Sequence, residues 1–254
     1  VPAASTASSG PGFDPGSVFD PVADGYQAAR PGYPDAFYDL LERVVGPLAG
    51  RLVLDVGAGT GIATRSLAAR GARVVAVDPS LAMARTLRRA SNAPVTLGRA
   101  ERLPVVAGSV DLITFAQAWH WVRVPDAAAE CRRVLAGGGR LALWWNVDEG
   151  GGELARALDR ECGIHPYGTR DRQDDRARLV DEGGFRDLLT DSVRWSWQVP
   201  VEQWLQAVAT RSVLARLGPA AAERLSAIES VVRRHAPEGV VTEQFTTRLT
   251  VAVP

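Results

Sequence analysis

"LVLDVGAGTGIATRSL", Leu52 to Leu67, sets three glycines within five residues directly behind a run of β-formers and directly ahead of a helix-forming segment. A glycine turn between a strand and a helix lets the backbone approach a ligand closely and presents amide donors that the helix leaves unused. Three kinds of ligand compete for such a turn. The nicotinamide fingerprint needs Gly-x-Gly-x-x-Gly, whereas Gly57, Gly59 and Gly61 are spaced Gly-x-Gly-x-Gly and Ile62 occupies the last expected glycine. Phosphate binding of the Walker type needs Lys and a hydroxyl residue after the final glycine, and Gly61 has neither. Asp55 points to the third kind, because a carboxylate at the mouth of the loop repels phosphate and favours an ammonium group. An adenosyl sulfonium amino acid carries that ammonium and no phosphate.

Outward from this stretch the chain keeps a strict rhythm. "RLVLDV", "RVVAVD", "APVTLG", "VDLITFAQ" and "RLALWWN" read as strands, with helices over "GIATRSLAARG", "SLAMARTLRRA" and "VPDAAAECRRVLAGGG". Short apolar strands alternating with helices imply a parallel sheet covered on both faces, and right-handed crossovers gather the strand-to-helix loops at its carboxyl edge. After Asn146, "FRDLLTDSVRWSWQV" and "VTEQFTTRLTVAVP" can pair as an antiparallel hairpin around two inserted helices. The expectation is an α/β, Rossmann-like, seven-stranded mixed sheet with small helical additions over the carboxyl edge. It divides into an N-terminal extension (1–50), a cofactor-binding core (51–149), a helical insertion (150–184) and a C-terminal part of the sheet with substrate-side helices (185–254).

Composition excludes several functions. Twenty-nine basic residues balance twenty-nine acidic ones, which gives no bulk attraction to nucleic acid or to an anionic membrane. All the basic residues are Arg, so lysine chemistry is absent. Cys131 and Cys162 form neither a metal pattern nor a disulfide framework, and His120, His165 and His235 lack ligand spacing, so no metal is expected. No apolar run reaches membrane-spanning length. A cytoplasmic protein acting on a small molecule is the plain expectation; the oligomeric state stays open.

Asp78 ends the second strand, twenty-one residues after Gly57, where a carboxylate can accept both hydroxyls of a ribose; capping of the helix near Ser80 is its other reading. Pro79 and Met83 follow at positions able to flank an adenine.

"LDVGAGTG", Asp78 after "VVAV", "GRAERLPVVAGSVDLI" and "RRVLAGGGRLAL" together resemble the class I S-adenosylmethionine-dependent methyltransferases from about Arg51 to Asn146. "YQAARPGYP" and "AQAWHWV" are similar to the small-molecule branch (methyltransferase type 11) that includes the trans-aconitate-type carboxyl methyltransferases. The resemblance implies S-adenosylmethionine as cofactor and S-adenosylhomocysteine as product. It sets Gly57 and Gly59 under the methionine part, Asp55 near the ammonium and Asp78 on the ribose. Ala100 and Glu101 fall beside the adenine, with the Ala100 amide donating to the ring, and Gln117 on the floor beneath the sulfonium. Arg99 departs from the pattern, since many relatives carry Asp there. Tyr26, Arg30 and Tyr33 are implied lid residues; Arg30 is a permanent cation and Tyr26 shares its face if that helix persists.

On the substrate side, His120 follows the fourth strand with a side chain able to take a proton near neutral pH or to orient an acceptor. Trp119 and Trp121 either enclose a substrate or pack inward, Asn146 ends the fifth strand at the ligand edge, and His165 can reach in from the insertion. Seven tryptophans from Trp119 to Trp204 favour an apolar or aromatic acceptor. Methylation at oxygen is the leading expectation, with nitrogen and carbon open. The alternatives are a nicotinamide oxidoreductase and a noncatalytic S-adenosylmethionine-binding module.

Overall fold

In the computed structural model, which describes residues 30–148, 152–163, 178–210, 214 and 220–254, helix α1 (Asp35–Val45) leads into strand β1 (Leu52–Val56). The alternation then runs α2 (Ile62–Ala69), β2 (Arg73–Asp78), α3 (Leu81–Ala90), β3 (Val95–Leu97), β4 (Val110–Ala116), α4 (Val124–Val134) and β5 (Leu135–Asp148). Beyond it come α5 (Glu153–Cys162), β6 (Arg186–Pro200), α6 (Val201–Ala209), α7 (Ala221–His235) and β7 (Val240–Val253). The strands form one sheet in the order β3-β2-β1-β4-β5-β7-β6. The pairs within β1 to β5 are parallel, and β7 runs antiparallel to both β5 and β6. This is the seven-stranded mixed sheet of the class I Rossmann-like methyltransferase fold, and the order reverses between β1 and β4, where such sheets bind their ligands.

Alternating side chains supply a core to each face. Leu54, Phe115, Leu143 and Trp145 pack under α4, while on the other face Val53 and Trp144 pack against Phe37 and Leu41 of α1. Adjacent tryptophans of β5 thus serve opposite cores. β5 extends further than its apolar run: it begins at Leu135 and passes through "AGGG", where Gly138 adopts φ +80° and the β4–β5 register is irregular. Past Phe245, the partner of Asp148, strands β6 and β7 pair only with each other, Ser196–Pro200 against Val240–Gln244. That arm reaches over the carboxyl edge and carries α5, α6 and α7 around a third core of Leu158, Trp204, Val232 and Val241. Among the described residues no helix is long and apolar enough to cross a membrane.

Candidate functional site

Four connections meet at the carboxyl ends of β1, β2, β3 and β4 and enclose a cavity. Of the residues singled out in the sequence, Gly57, Gly59, Asp78, Pro79, Met83, Ala100, Glu101, Gln117 and Trp121 line it, together with Gly98 and Arg99. Local chemistry explains the glycine turn. Gly57, Gly59 and Gly61 have φ of +67°, +58° and +84°, a region costly for residues with a Cβ. The Gly57 and Ala58 amides donate to the Val77 carbonyl, which ties the loop to β2. A Cβ at Gly57 would lie 2.5 Å from that of Ala118, so this glycine is required by protein packing; a Cβ at Gly59 would meet no protein atom within 4 Å.

Asp78 is buried, and both its oxygens accept main-chain hydrogen bonds at 2.8 Å: Oδ2 from the Gly59 amide and Oδ1 from the Ser80 amide. The α3 cap is Ser80 itself, whose hydroxyl accepts from the Met83 amide, so Asp78 is not the helix cap. Arg65 of α2 supports the loop by donating from Nη1 to the Thr60 carbonyl at 3.0 Å.

Asp55 lies beneath the loop rather than on the cavity wall. Its carboxylate is wholly buried and accepts from the Thr64 hydroxyl at 2.6 Å and the Thr114 hydroxyl at 2.9 Å. Burial raises its pKa to about 6; the two hydroxyls oppose the rise and nearby Asp78 adds to it. The hydroxyl partners come from another helix and another strand, and nothing in the local sequence marked them.

Gln117 is the one non-glycine residue among those described with positive φ, +60°, and its amide donates to the Trp144 carbonyl at 2.9 Å. A left-handed residue of this kind costs roughly 1–2 kcal/mol, and here the neighbouring strand holds it at the cavity floor. Glu101, on the cavity wall, also ties that wall to α4: its Oε1 accepts the Arg123 amide at the start of the helix, 2.8 Å away.

The turn after β4, Trp119–Trp121, splits the substrate-side group. Trp119 is fully buried edge-on to Phe115, centroids 4.8 Å apart, and belongs to the core, not to a substrate wall. Trp121 lines the cavity; the His120 ring stands 4.8 Å from that of Trp121, outside the lining.

The front segment crosses the same edge of the sheet. Arg30 donates from Nε to the Thr210 hydroxyl at 3.0 Å and from Nη2 to the Thr210 carbonyl at 3.1 Å, at the end of α6. Asn146 donates to the Gly32 carbonyl at 3.0 Å and accepts from the Thr247 hydroxyl at 2.7 Å, and that hydroxyl in turn accepts from Trp195 Nε1 at 2.8 Å. Tyr33 stacks edge-on to Trp144 and Tyr38. Neither Arg30, Tyr33 nor Asn146 lines the cavity. Tyr26 and His165 lie outside the described residues. Among the described residues no cluster of His, Cys, Asp or Glu could hold a metal ion.

A nucleoside fits this arrangement. Asp78 supplies a buried acceptor pair, the Gly59 face is open where a Cβ would intrude, and Pro79, Met83 and Ala100 give apolar surface beside them. Fold and cavity together define an S-adenosylmethionine-dependent methyltransferase of class I. The chain belongs to the methyltransferase domain family, whose model matches residues 54–143. It is 38% identical over 195 residues to an uncharacterized methyltransferase of Mycobacterium tuberculosis, covering 76% of each chain. A malonyl-[acyl-carrier protein] O-methyltransferase of Methylococcus capsulatus is 35% identical over 160 residues, 59% of this chain and 57% of that one. A solved structure assigned to the type II methyltransferases, from Anaeromyxobacter dehalogenans, superposes with a TM-score of 0.67 at 24% identity, covering 88% of this chain and 96% of that one. These likenesses set aside the nicotinamide alternative.

Proposed function

We propose that this methyltransferase transfers a methyl group from S-adenosylmethionine to an oxygen of a small apolar or aromatic molecule. The buried Asp78 carboxylate facing the open side of Gly59 carries the cofactor half of this reading. The oxygen half is supported by similarity to a malonyl-[acyl-carrier protein] O-methyltransferase. Bound in the cavity, the cofactor would supply an electrophilic methyl on a sulfonium sulfur.

Every other task falls to the chain. Asp78 accepts the ribose hydroxyls, the Ala100 amide donates to the adenine, and Pro79 and Met83 cover that ring. Gly57 and Gly59 leave room for the methionine part. Asp55 contributes negative potential from beneath the loop, which favours the amino acid's ammonium. Gln117, held in its left-handed conformation, forms the floor below the sulfonium. Trp121 presents an apolar surface to the acceptor, and His120 beside it orients the acceptor oxygen or takes its proton. A carboxylate acceptor needs no base, so orientation and exclusion of water would supply most of the acceleration. Tyr26, Arg30 and Tyr33 act as a cover, which the contacts of Arg30 to Thr210 and of Gly32 to Asn146 support; His165 completes the substrate side.

The deciding experiment incubates the chain with methyl-labelled cofactor and a metabolite extract, then locates the label by mass spectrometry and NMR. Label on oxygen of a small molecule is expected. Label on carbon or nitrogen overturns the oxygen assignment and leaves the cofactor assignment in place.

A further inference from the structure

Between β3 and β4 the chain makes an excursion, residues 98–109, without a helix or a strand of its own. Its first part, Gly98 to Glu101, is a wall of the cavity. The wall itself is held by the Gly98 amide, which donates to the Asp78 carbonyl at 3.2 Å, and by Glu101, which accepts from the Arg123 amide. Its continuation, residues 103–109, is fixed by hydrogen bonds from α4. The Leu103 amide donates to Glu130 Oε2 at 2.8 Å, and the Leu103 carbonyl accepts from Arg133 Nη2 at 2.9 Å. Arg133 Nη1 reaches the Val105 carbonyl at 2.9 Å. Two further bonds of 2.8 Å join the Arg133 guanidinium to both oxygens of Glu130. The far end is tied by the Gly108 and Ser109 amides, which donate to the Arg133 and Val134 carbonyls. Glu130 and Arg133 thus read the donor and both acceptors of an irregular segment much as a neighbouring strand would, while Leu103 is buried in the core as an anchor.

We propose that Glu130 and Arg133 are positioning residues for the adenine end of the cofactor site. They sit in "ECRRVLAGGG", which overlaps the stretch "RRVLAGGGRLAL" that carries part of the family resemblance. The proposal rests on the reading that adenine lies against Gly98–Glu101. A main-chain amide discriminates a ring nitrogen acceptor from a ring N–H donor only when it is held in place, because hydrogen bonds weaken steeply with misalignment. Ala100 is three residues from the bolted Leu103, so freeing Leu103 and Val105 releases the amide that makes this distinction. Arg is needed because its planar fork spans two carbonyls and a carboxylate at once, which an ammonium cannot do.

The test titrates the full chain by calorimetry with S-adenosylhomocysteine and with S-inosylhomocysteine, whose base carries a ring N–H in place of the acceptor. The unaltered chain is expected to favour the adenine compound. Arg133→Met should weaken S-adenosylhomocysteine about tenfold, as for one good hydrogen bond, and weaken the inosine compound less, so that selectivity falls. Arg133→Lys should fall between the two, and Glu130→Gln, which retains an acceptor for the Leu103 amide, should lose less. Hydrogen exchange at Leu103 should quicken in Arg133→Met. Equal losses for both ligands, or unchanged selectivity in a variant that melts cooperatively, overturn the proposal. If Arg133→Met does not fold, the Arg133→Lys and Glu130→Gln titrations make the same comparison. Absence of base selectivity in the unaltered chain overturns the adenine placement itself, and the proposal with it.

Discussion

The amide of Gly59 donates to Oδ2 of Asp78 at 2.8 Å, so the loop that follows β1 and the acid that ends β2 hold each other across nineteen residues of sequence. The same carboxylate that would accept ribose hydroxyls also sets the shape of the glycine loop. Asp78→Ala should therefore raise the Kd for S-adenosylhomocysteine by about 10- to 100-fold, the loss expected of charge-assisted hydrogen bonds, and should quicken hydrogen exchange at Gly59. Calorimetry on a folded variant with unchanged affinity would remove the ribose role.

Two glycines of one loop should respond in opposite ways. Gly59→Ala places its Cβ in space free of protein atoms, so its cost to folding is the left-handed backbone alone, about 1–2 kcal/mol. Its effect on cofactor binding should be large. Gly57→Ala instead drives a Cβ to 2.5 Å from that of Ala118 and should lower the melting temperature more than Gly59→Ala does. Thermal melts paired with titrations separate the two; equal destabilisation would contradict the packing difference.

Stability should fall as pH rises from about 4 to about 6 through Asp55 alone. Its native pKa is raised to about 6 from an ordinary 3.8, so in that window the folded chain keeps a proton that the unfolded chain has lost. Above it both states are ionised and the penalty is constant, at most about 3 kcal/mol. Asp55→Asn, whose amide can accept from one threonine hydroxyl and donate to the other, should flatten this part of the profile and raise stability at pH 8. An unchanged or steeper profile in the variant, measured by denaturant titration at several pH values, would show that the Asp55 pKa is not raised in the folded chain.

The front segment should loosen when Asn146 is shortened. Asn146→Ala removes the donor to Gly32 and the acceptor for Thr247, about 1 kcal/mol for each bond. Exchange at Gly32 and Tyr33 should accelerate while exchange in β1 stays as it was. Saturating S-adenosylhomocysteine should slow exchange at residues 30–33 in the unaltered chain if the segment covers the cofactor, and identical rates would mean that it packs without covering.

His120→Gln measures how much base chemistry the acceptor needs. A phenol or alcohol acceptor should show a large loss in kcat, a carboxylate a smaller one, and cofactor affinity should hold in both. Full rate on a verified acceptor would leave His120 no part in the chemistry.

The alternating strands and helices, the glycine turn and the acid ending β2 were legible because each rests on local rules: a period of two in the strands, positive φ at the glycines, and a carboxylate at the next strand end. The seven-stranded sheet followed from those rules, including the antiparallel hairpin that completes it. Contacts between distant segments were not legible. Asp55 and its hydroxyl partners Thr64 and Thr114 are nine and fifty-nine residues apart, and only the sheet register brings β4 against β1 to enclose the carboxylate. Trp119 and Trp121 are alike in sequence, yet one is core and the other cavity wall because a single helical turn rotates them to different sides. By itself the sequence determined the sheet, the glycine loop and the chemistry of the ligand they suit, all through residues close along the chain. Tertiary packing alone decided which residues line the cavity, since burial and hydrogen-bond partnership depend on segments that the chain keeps far apart until it folds.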